Sequence, residues 1–279
     1  MSLYTVVGSP KRRGFVRGAR SRGMVVADLH VHTTNSDGTL TLDTLPAAAE
    51  AAGVSTVAVT DHDRLHPELP TPVATVDGVT VVHGIELRVA ADDLQVDLLG
   101  YGVRRTPELE SLVDRLQADR IERGRAIISK VESRLGTELP VEPRAGIGRP
   151  HIAKAIAAAS EYSYGEAFEE LIGDESPCYV PRDIPGFEEA VAVLDDACGP
   201  VSLAHPCRYD DPEAALELCS ELDAVERFYP YGREVDPGAV ERTIERYDLL
   251  ATGGSDAHEE ALGAAGLGRA DYRAFRAEL

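Results

Sequence analysis

The sequence predicts an α/β protein whose strand-and-helix body is interrupted by a helical segment. Short apolar runs alternate with amphipathic helical patterns toward both ends of the 279-residue chain, and such alternation indicates parallel β-α units. In the middle of the chain, helical patterns follow one another with no strand between them. The body is therefore expected over residues 24–103 and 200–279, and an all-helical insertion over residues 104–199.

The first part of the body contains four predicted strands and one helix. The strands are the runs MVVADLHVH, VSTVAVTDH, VTVVHGIEL and LQVDLLGYGV. The helix lies in TLDTLPAAAEAAG, where Thr41 or Asp43 is available as the N-cap and Gly53 as the stop.

The insertion is expected to begin with one long charged helix from Pro107 to about Leu135. Three further helical runs follow, which are HIAKAIAAAS, SYGEAFEELIG and FEEAVAVLDDACG. The body then resumes with the strands PVSLAH, DAVERFYP and LLATGGSDAH. These strands are separated by the helical runs DPEAALELCSEL and Pro237 to Tyr247, and a short helix closes the chain.

The first 23 residues differ from the rest in charge. They hold six basic side chains and no acidic one, whereas the whole chain has a formal net charge of −20. This shift predicts a disordered basic arm over residues 1–23, or a start codon assigned upstream of Met24. A nucleic-acid-binding arm is the alternative.

Composition excludes several classes of protein. An acidic excess with only three lysines is typical of proteins from salt-filled cytoplasm, and an acidic mesophilic protein is the alternative. The same charge argues against a groove for duplex nucleic acid, and the absence of tryptophan with 5% aromatic residues argues against a base-stacking platform. No apolar run is long enough for a membrane span, and there is no secretory signal pattern. Four cysteines without C-x-x-C spacing predict free thiols in a cytoplasmic protein.

Histidines and carboxylates at strand ends are the candidate functional residues. In the H-x-H pair His30 and His32, alternate strand positions place two imidazoles on one face. Further strand-end groups are His62, Glu86, His205, Asp256 and His258, while Asp37 lies on the tight turn NSDG and Asp97 within the fourth strand. Strand ends of a β/α barrel converge on one mouth, and imidazole with carboxylate suits Mn, Fe or Zn. A lone strand-end histidine is usually structural, but nine groups in this order predict a site for two or three divalent ions.

The runs DLHVHTTNSDG, VTDHD, GIE, RPHIAKA, LAHP and GSDAH resemble the motifs of the PHP (polymerase and histidinol phosphatase) superfamily. The branch with nucleoside 3′,5′-bisphosphate phosphatases and a 5′→3′ exoribonuclease is the most similar. This resemblance implies a distorted (β/α)7 barrel that holds up to three divalent ions, usually manganese, on the nine groups named above. Asp97 departs from the family, which has histidine there, so the identity and occupancy of the third ion stay open.

The resemblance also implies substrate contacts in the insertion. His151 is expected near the substrate phosphate, with Arg149 beside it at a helix N-terminus that can hold an anion. Arg120 and Arg123 lie one helical turn apart and could grip a second phosphate. A solvated face pairing with nearby acids is the alternative for this arginine pair. Tyr179 and Arg182, in CYVPRD, resemble another family run without an assigned role.

The predicted function is a divalent-metal-dependent phosphoesterase that acts on a nucleoside 3′,5′-bisphosphate or a short oligoribonucleotide. Attack by metal-bound hydroxide is expected, with His62 or His205 as a possible proton shuttle. A histidinol-phosphate phosphatase and a non-catalytic metal-binding accessory module are alternatives. A C–N amidohydrolase is disfavoured because none of the three lysines closes a predicted strand. His66 and His83 are not expected to be ligands, and the oligomeric state stays open.

Overall fold

The computed structural model describes residues 24–279, so the arm expected over residues 1–23 lies outside it. The described strands are β1 (Ala27–Val31), β2 (Thr56–Val59), β3 (Val73–Val76), β4 (Val79–Ala91), β5 (Leu94–Tyr101), β6 (Val201–Leu203), β7 (Ala224–Phe228) and β8 (Leu250–Gly253). The described α-helices are α1 (Leu45–Ala52), α2 (Pro107–Leu135), α3 (Arg149–Ala159), α4 (Tyr164–Glu166), α5 (Phe187–Ala197), α6 (Pro212–Glu217), α7 (Gly238–Tyr247) and α8 (Arg269–Arg276). A π-helical turn (Ala167–Ile172) continues α4.

The strands form one curled sheet in the order β1-β2-β4-β5-β6-β7-β8, with β3 paired to β4. The pairs at both ends of this path are parallel, as the alternating pattern predicts. The expectation of parallel β-α units is wrong for β5, which pairs antiparallel with both β4 and β6. A tight turn at Asp92 and Asp93, rather than a helix, joins β4 to β5.

The two ends of the curled sheet approach each other, because the segment after β8 returns beside β1. Val31 bridges Ala257 in parallel, and the Ala257 N–H donates to the His30 carbonyl. Gly254 permits this approach, since a Cβ there would lie 2.3 Å from the His30 nitrogen. The closure sets the last strand end next to the first.

Helix α1 begins later than the capping pattern predicts. Thr41 and Asp43 are not the N-cap, which is Thr44. The hydroxyls of Thr41 and Thr44 accept from each other's backbone N–H, so together they form the turn that precedes the helix. Gly53 ends the helix in the left-handed conformation at φ +70°, as predicted.

The segment expected as a helical insertion, residues 104–199, contributes to two hydrophobic cores. One core lies wholly within the segment and runs from Ile127 on α2 to Cys178 after the π-helical turn. Leu109 and Leu116, in the first half of α2, pack instead in the core of the barrel, as does Leu194 on α5. The two ends of the segment thus pack on the barrel, and its middle has a core of its own.

No helix in residues 24–279 is long and apolar enough to cross a membrane. The four cysteines are buried and free.

Candidate metal centre

All nine predicted ligands come together at one mouth of the barrel. Seven of them lie at or after the end of a strand, but the expectation that Glu86 closes its strand is wrong, because β4 continues to Ala91. Asp97 lies inside β5, as predicted. Among the described residues, three groups offer atoms within 4.8 Å of one another: His32 with Asp37, His62 and His258; His30 with His32 and Asp256; and Glu86 with Asp97 and His205. Glu86 joins the groups, because its Oε1 lies 3.4 Å from His30 Nε2 and 3.3 Å from His205 Nε2. Its Oε2 lies 2.7 Å from His62 Nδ1 and 3.4 Å from His32 Nε2.

Irregular backbone at the strand ends turns these side chains into the mouth. Asp63, His205 and Asp256 all have positive φ, at 51°, 29° and 52°. Non-glycine residues adopt this conformation at a cost, and such residues cluster at functional sites. Three of the seven non-glycine residues with positive φ in the described chain therefore lie at or beside the candidate ligands.

Two buried carboxylates that the sequence reading did not single out for a role fix the ligands in place. Glu226, near the end of β7, lies 3.2 Å from His30 Nδ1 and accepts from the His205 backbone N–H at 2.7 Å. Asp61, after β2, accepts from both the backbone N–H and the hydroxyl of Thr33. Their signal in the sequence is a carboxylate next to a buried apolar strand run. A carboxylate that hydrogen-bonds to an imidazole, or to the loop beside it, holds that imidazole or loop in one orientation.

The carboxylates in the mouth are held ionised by the imidazoles around them. Burial raises the pKa of Asp37, but the charge of His62 and the nearby His258, whose Nε2 lies 3.4 Å from Asp37 Oδ1, outweigh it, so the pKa is lowered. The pKa of Glu86 is well below its usual value, because His62 and His30 outweigh burial. Burial lowers the pKa of His62, yet Glu86 and Asp37 raise it to about 9.

Asp97 differs from the other candidate ligands because an arginine binds both of its carboxylate oxygens. It lies directly opposite Arg88 in the antiparallel β4-β5 register. Arg88 Nε and Nη2 donate to its two oxygens at 2.5 and 2.7 Å. Asp97 Oδ2 is also 3.6 Å from His205 Nε2. The guanidinium thus supplies positive charge beside the third group of candidate ligands.

The donor set fits divalent cations. His30 Nε2 and Asp37 Oδ1 are buried without a hydrogen-bond partner among the described residues, and each points at other candidate ligands. Buried polar atoms without partners are costly, and a cation would satisfy them. Imidazole and carboxylate without thiolate match Mn, Fe or Zn.

Asp256 has partners on the open side of the mouth. The Tyr229 hydroxyl donates to its Oδ2 at 2.7 Å, and Arg208 Nη1 donates to the same oxygen at 3.2 Å. The Arg208 side chain is 54% exposed, so a cationic group borders the mouth opposite the insertion. The sequence reading gave neither Tyr229 nor Arg208 a role.

Arg120, expected at substrate, takes part in a buried ion cluster. Its Nε donates to Asp63 Oδ2 at 2.8 Å, its Nη2 bonds the same oxygen, and its Nη1 donates to the Ile147 carbonyl. Arg182 Nη2 also donates to Asp63 Oδ2, at 2.7 Å. Burial raises the pKa of Asp63, but the two guanidinium groups lower it overall. Asp63 thus ties the barrel to the insertion.

The other expected substrate contacts lie near the N-terminus of α3. Arg149 pairs with the exposed Asp174 at 2.9 Å, and His151 Nδ1 accepts from the Gly148 N–H at 3.1 Å. Arg123 Nε donates only to a backbone carbonyl, that of Val180. Burial and then the charges of Arg149 and Arg182 lower the pKa of Arg123 to about 10. His151 joins none of the three ligand groups.

His66 and His83, which were not expected to be ligands, also lie outside these groups. The His66 backbone N–H donates to His83 Nε2 at 3.1 Å, so His83 is a buried histidine within the protein's own hydrogen bonding.

The chain belongs to the PHP domain family, whose model matches residues 28–173. It is 30% identical over 271 residues to a phosphoribosyl 1,2-cyclic phosphate 1,2-diphosphodiesterase of Eggerthella lenta, covering 90% of this chain and 99% of that protein. A 3′,5′-nucleoside bisphosphate phosphatase of Chromobacterium violaceum is 25% identical over 272 residues, which are 89% and 92% of the two chains. The 5′-3′ exoribonuclease Rnm of Salmonella typhimurium is 26% identical over 197 residues, which are 67% of each.

Among solved structures, a Bifidobacterium adolescentis protein described as a metal-dependent phosphoesterase aligns with a TM-score of 0.74 and 26% identity. The alignment covers 91% of this chain and 96% of the Bifidobacterium adolescentis chain. The family and this neighbour confirm the predicted barrel type.

Proposed function

We propose that this chain is a divalent-metal-dependent phosphoesterase that acts on a nucleotide or a short oligoribonucleotide. The observation that carries the proposal is the convergence of nine histidine and carboxylate side chains around Glu86, with buried donor atoms that have no partner among the described residues. The names of the relatives, all of which act on phosphate esters, support the same chemistry.

The residues proposed to hold two or three ions are His30, His32, Asp37, His62, Glu86, Asp97, His205, Asp256 and His258. Manganese is our choice of ion, with zinc and iron as alternatives that suit the same donors. Bound ions would neutralise charge on the phosphoryl oxygens and activate a water molecule. Because Arg88 already neutralises Asp97, we expect the group of Glu86, Asp97 and His205 to bind its ion most weakly.

Of the two candidate proton shuttles, His62 is better placed than His205. The His62 side chain is 25% exposed, whereas that of His205 is only 4% exposed. A group that passes a proton to a departing alcohol needs access to the open mouth. An imidazole that holds an ion cannot also pass a proton, so His62 serves as the shuttle only if the other members of its group, His32, Asp37 and His258, hold that ion without it.

The insertion is proposed to bind the rest of the substrate. Arg123 has the guanidinium least committed to protein acceptors, so it is the first choice for a phosphate contact. Arg149 and His151 stand at the start of α3, where backbone N–H groups also favour an anion. Arg120 supports this surface from its buried position on Asp63.

A substrate with two phosphates suits a site that has cationic groups outside the metal centre. Adenosine 3′,5′-bisphosphate is the representative of that class. A cyclic phosphodiester of a ribose phosphate is the second candidate, because the relative of that name aligns over 99% of its length.

The test is hydrolysis by manganese-loaded protein, in molar potassium chloride and at low salt, so that the predicted salt adaptation is examined as well. Adenosine 3′,5′-bisphosphate and histidinol phosphate are followed by release of inorganic phosphate. A ribose cyclic phosphate and a short oligoribonucleotide are followed by chromatography of the products, because a phosphodiester is cleaved to a monoester without releasing phosphate. Hydrolysis that Asp256→Asn abolishes supports a phosphoesterase, and the preferred substrate identifies the class. No hydrolysis of any of the four, with metal bound, would contradict the proposal.

A further inference from the structure

The insertion carries an aromatic and cationic surface that composition does not predict. The Tyr164 and Phe168 rings lie 5.2 Å apart between centroids and are inclined at 59°. Arg149 lies over both the Phe168 and Tyr179 rings, at 5.9 and 5.8 Å, and Arg123 lies over Tyr179 at 5.8 Å. A chain with few aromatic residues thus places three of them beside two arginines.

Tyr164 is the exposed member of this group. It is 44% exposed, and the other exposed large hydrophobic residues of the described chain, Met24 and Val73, lie at or near strands of the barrel. Phe168 and Tyr179 are half-buried, so Tyr164 is the ring of this group that is presented to solvent.

The surface borders the metal centre. The loop before α3 touches the loop after β1, since a Cβ on Gly146 would lie 2.5 Å from the Asn35 carbonyl oxygen. Helix α4 and the turn that follows it pack on α3. Burial and then the charge of Asp37 raise the pKa of Tyr164, which agrees with a phenol that faces the mouth.

We propose that Tyr164, supported by Phe168, stacks on the nucleobase of the substrate and so selects nucleotides over sugar phosphates. This inference rests on the proposed phosphoesterase function. A base has a planar π-face that stacks on an aromatic side chain, and the arginines beside the rings suit the phosphates that accompany it. One exposed ring with a cationic border is too small an apolar patch for a protein partner.

The test compares adenosine 3′,5′-bisphosphate with 1-O-methylribose 3,5-bisphosphate, which lacks the base. Tyr164→Ala is expected to raise the ratio of the two KM values, adenosine compound over base-free compound, about tenfold. Tyr164→Phe keeps the ring and should retain the wild-type ratio. Tyr164→Leu keeps an apolar side chain on Phe168 without a ring and should behave like the alanine variant.

An unchanged ratio in Tyr164→Ala, or a wild-type ratio in Tyr164→Leu, would overturn the inference. Hydrolysis of neither compound by the wild-type protein would instead count against the proposed function. In that case, equilibrium binding of adenosine 3′,5′-bisphosphate decides the role of Tyr164. About tenfold weaker binding by Tyr164→Ala supports stacking, and equal binding contradicts it.

Discussion

The barrel side and the insertion side of the mouth manage their charges differently. On the barrel side, imidazoles and carboxylates face one another, and atoms such as His30 Nε2 have no hydrogen-bond partner among the described residues. On the insertion side, Arg120 and Arg182 are held by Asp63, and Arg149 is paired with Asp174. The first arrangement leaves buried atoms without hydrogen-bond partners, whereas in the second the charges are largely balanced by the protein itself.

Because of this difference, ions and substrate should affect the stability of the folded protein to different extents. Ions that bind the barrel side satisfy buried groups and should stabilise the folded protein by mass action. A substrate on the insertion side replaces ion pairs that the protein already makes, so its binding should stabilise the folded protein less than the ions do. We expect metal removal by a chelator to lower the melting temperature more than substrate removal does.

The largest effect should come from the barrel side. Asp256 lies 3.1 Å from His32 and 3.5 Å from His30, so Asp256→Asn removes a charge shared by two histidines. We expect phosphate release to fall at least about 100-fold and the bound manganese per chain to decrease. The measurements are initial rates and metal content after gel filtration. Asp210→Asn, on the exposed loop after β6, is the control. Full activity with Asp256→Asn would remove this residue from the site.

Among the substitutions considered, replacement of Asp63, which links the barrel to the insertion, should reduce the free energy of unfolding most. Asp63→Ala leaves Arg120 and Arg182 buried without their carboxylate, and breaking such a cluster costs about 3–5 kcal/mol in the free energy of unfolding. Asp174→Ala removes the exposed partner of Arg149 and should cost less than about 1 kcal/mol. Denaturant unfolding of the two variants checks the difference. Equal losses of stability in the two variants would mean that Asp63 does not link the barrel to the insertion.

The sequence predicts the barrel side better than the insertion side, for a physical reason. Most of the candidate ligands follow strand ends, so a local pattern locates residues such as His30 and Asp256 without knowledge of the fold. Glu86 lies inside β4, which continues past the predicted end of that strand. The pairing of Asp63 with Arg120 spans 57 residues and joins two elements, so no local pattern indicates it.

Backbone features show the same limit. Strand β3 is four residues long, and only its pairing with β4 distinguishes it from a loop. The antiparallel β4-β5 pair depends on a two-residue turn at Asp92 and Asp93. This dipeptide is not one of the common hairpin signals, so the sequence does not indicate the turn. Glu226 was not assigned because its role requires β7 to lie next to His30 and His205.

A histidine outside the mouth should respond to acid in the opposite way to His62. Burial, and then the charges of Arg105 and His66, lower the pKa of His83 to about 4. The unfolded chain therefore binds a proton on this residue below about pH 6.5, while the folded chain does so only near pH 4. Stability should fall by roughly 3 kcal/mol over that interval and no further below it.

The measurement for His83 is the free energy of unfolding at several pH values, for the wild type and for His83→Gln. The variant lacks the titrating group, so its stability should depend less on pH between 6.5 and 4. Identical pH slopes for the two proteins would show that His83 is not protonated on unfolding.

The smallest effect on activity is expected for Arg123, whose guanidinium has only one hydrogen-bond acceptor among the described residues, the Val180 carbonyl. Arg123→Met keeps most of the apolar part of the arginine side chain, so the packing around this position of α2 is retained while the positive charge is lost. If Arg123 holds a substrate phosphate, KM for adenosine 3′,5′-bisphosphate should rise about tenfold with little change in kcat, because the contact exists before and during the reaction. Arg125→Met changes an exposed arginine of the same helix and should leave KM within about twofold. Equal KM values for the two variants would assign Arg123 to the internal balance of the insertion, like Arg120, and leave substrate binding to the barrel side.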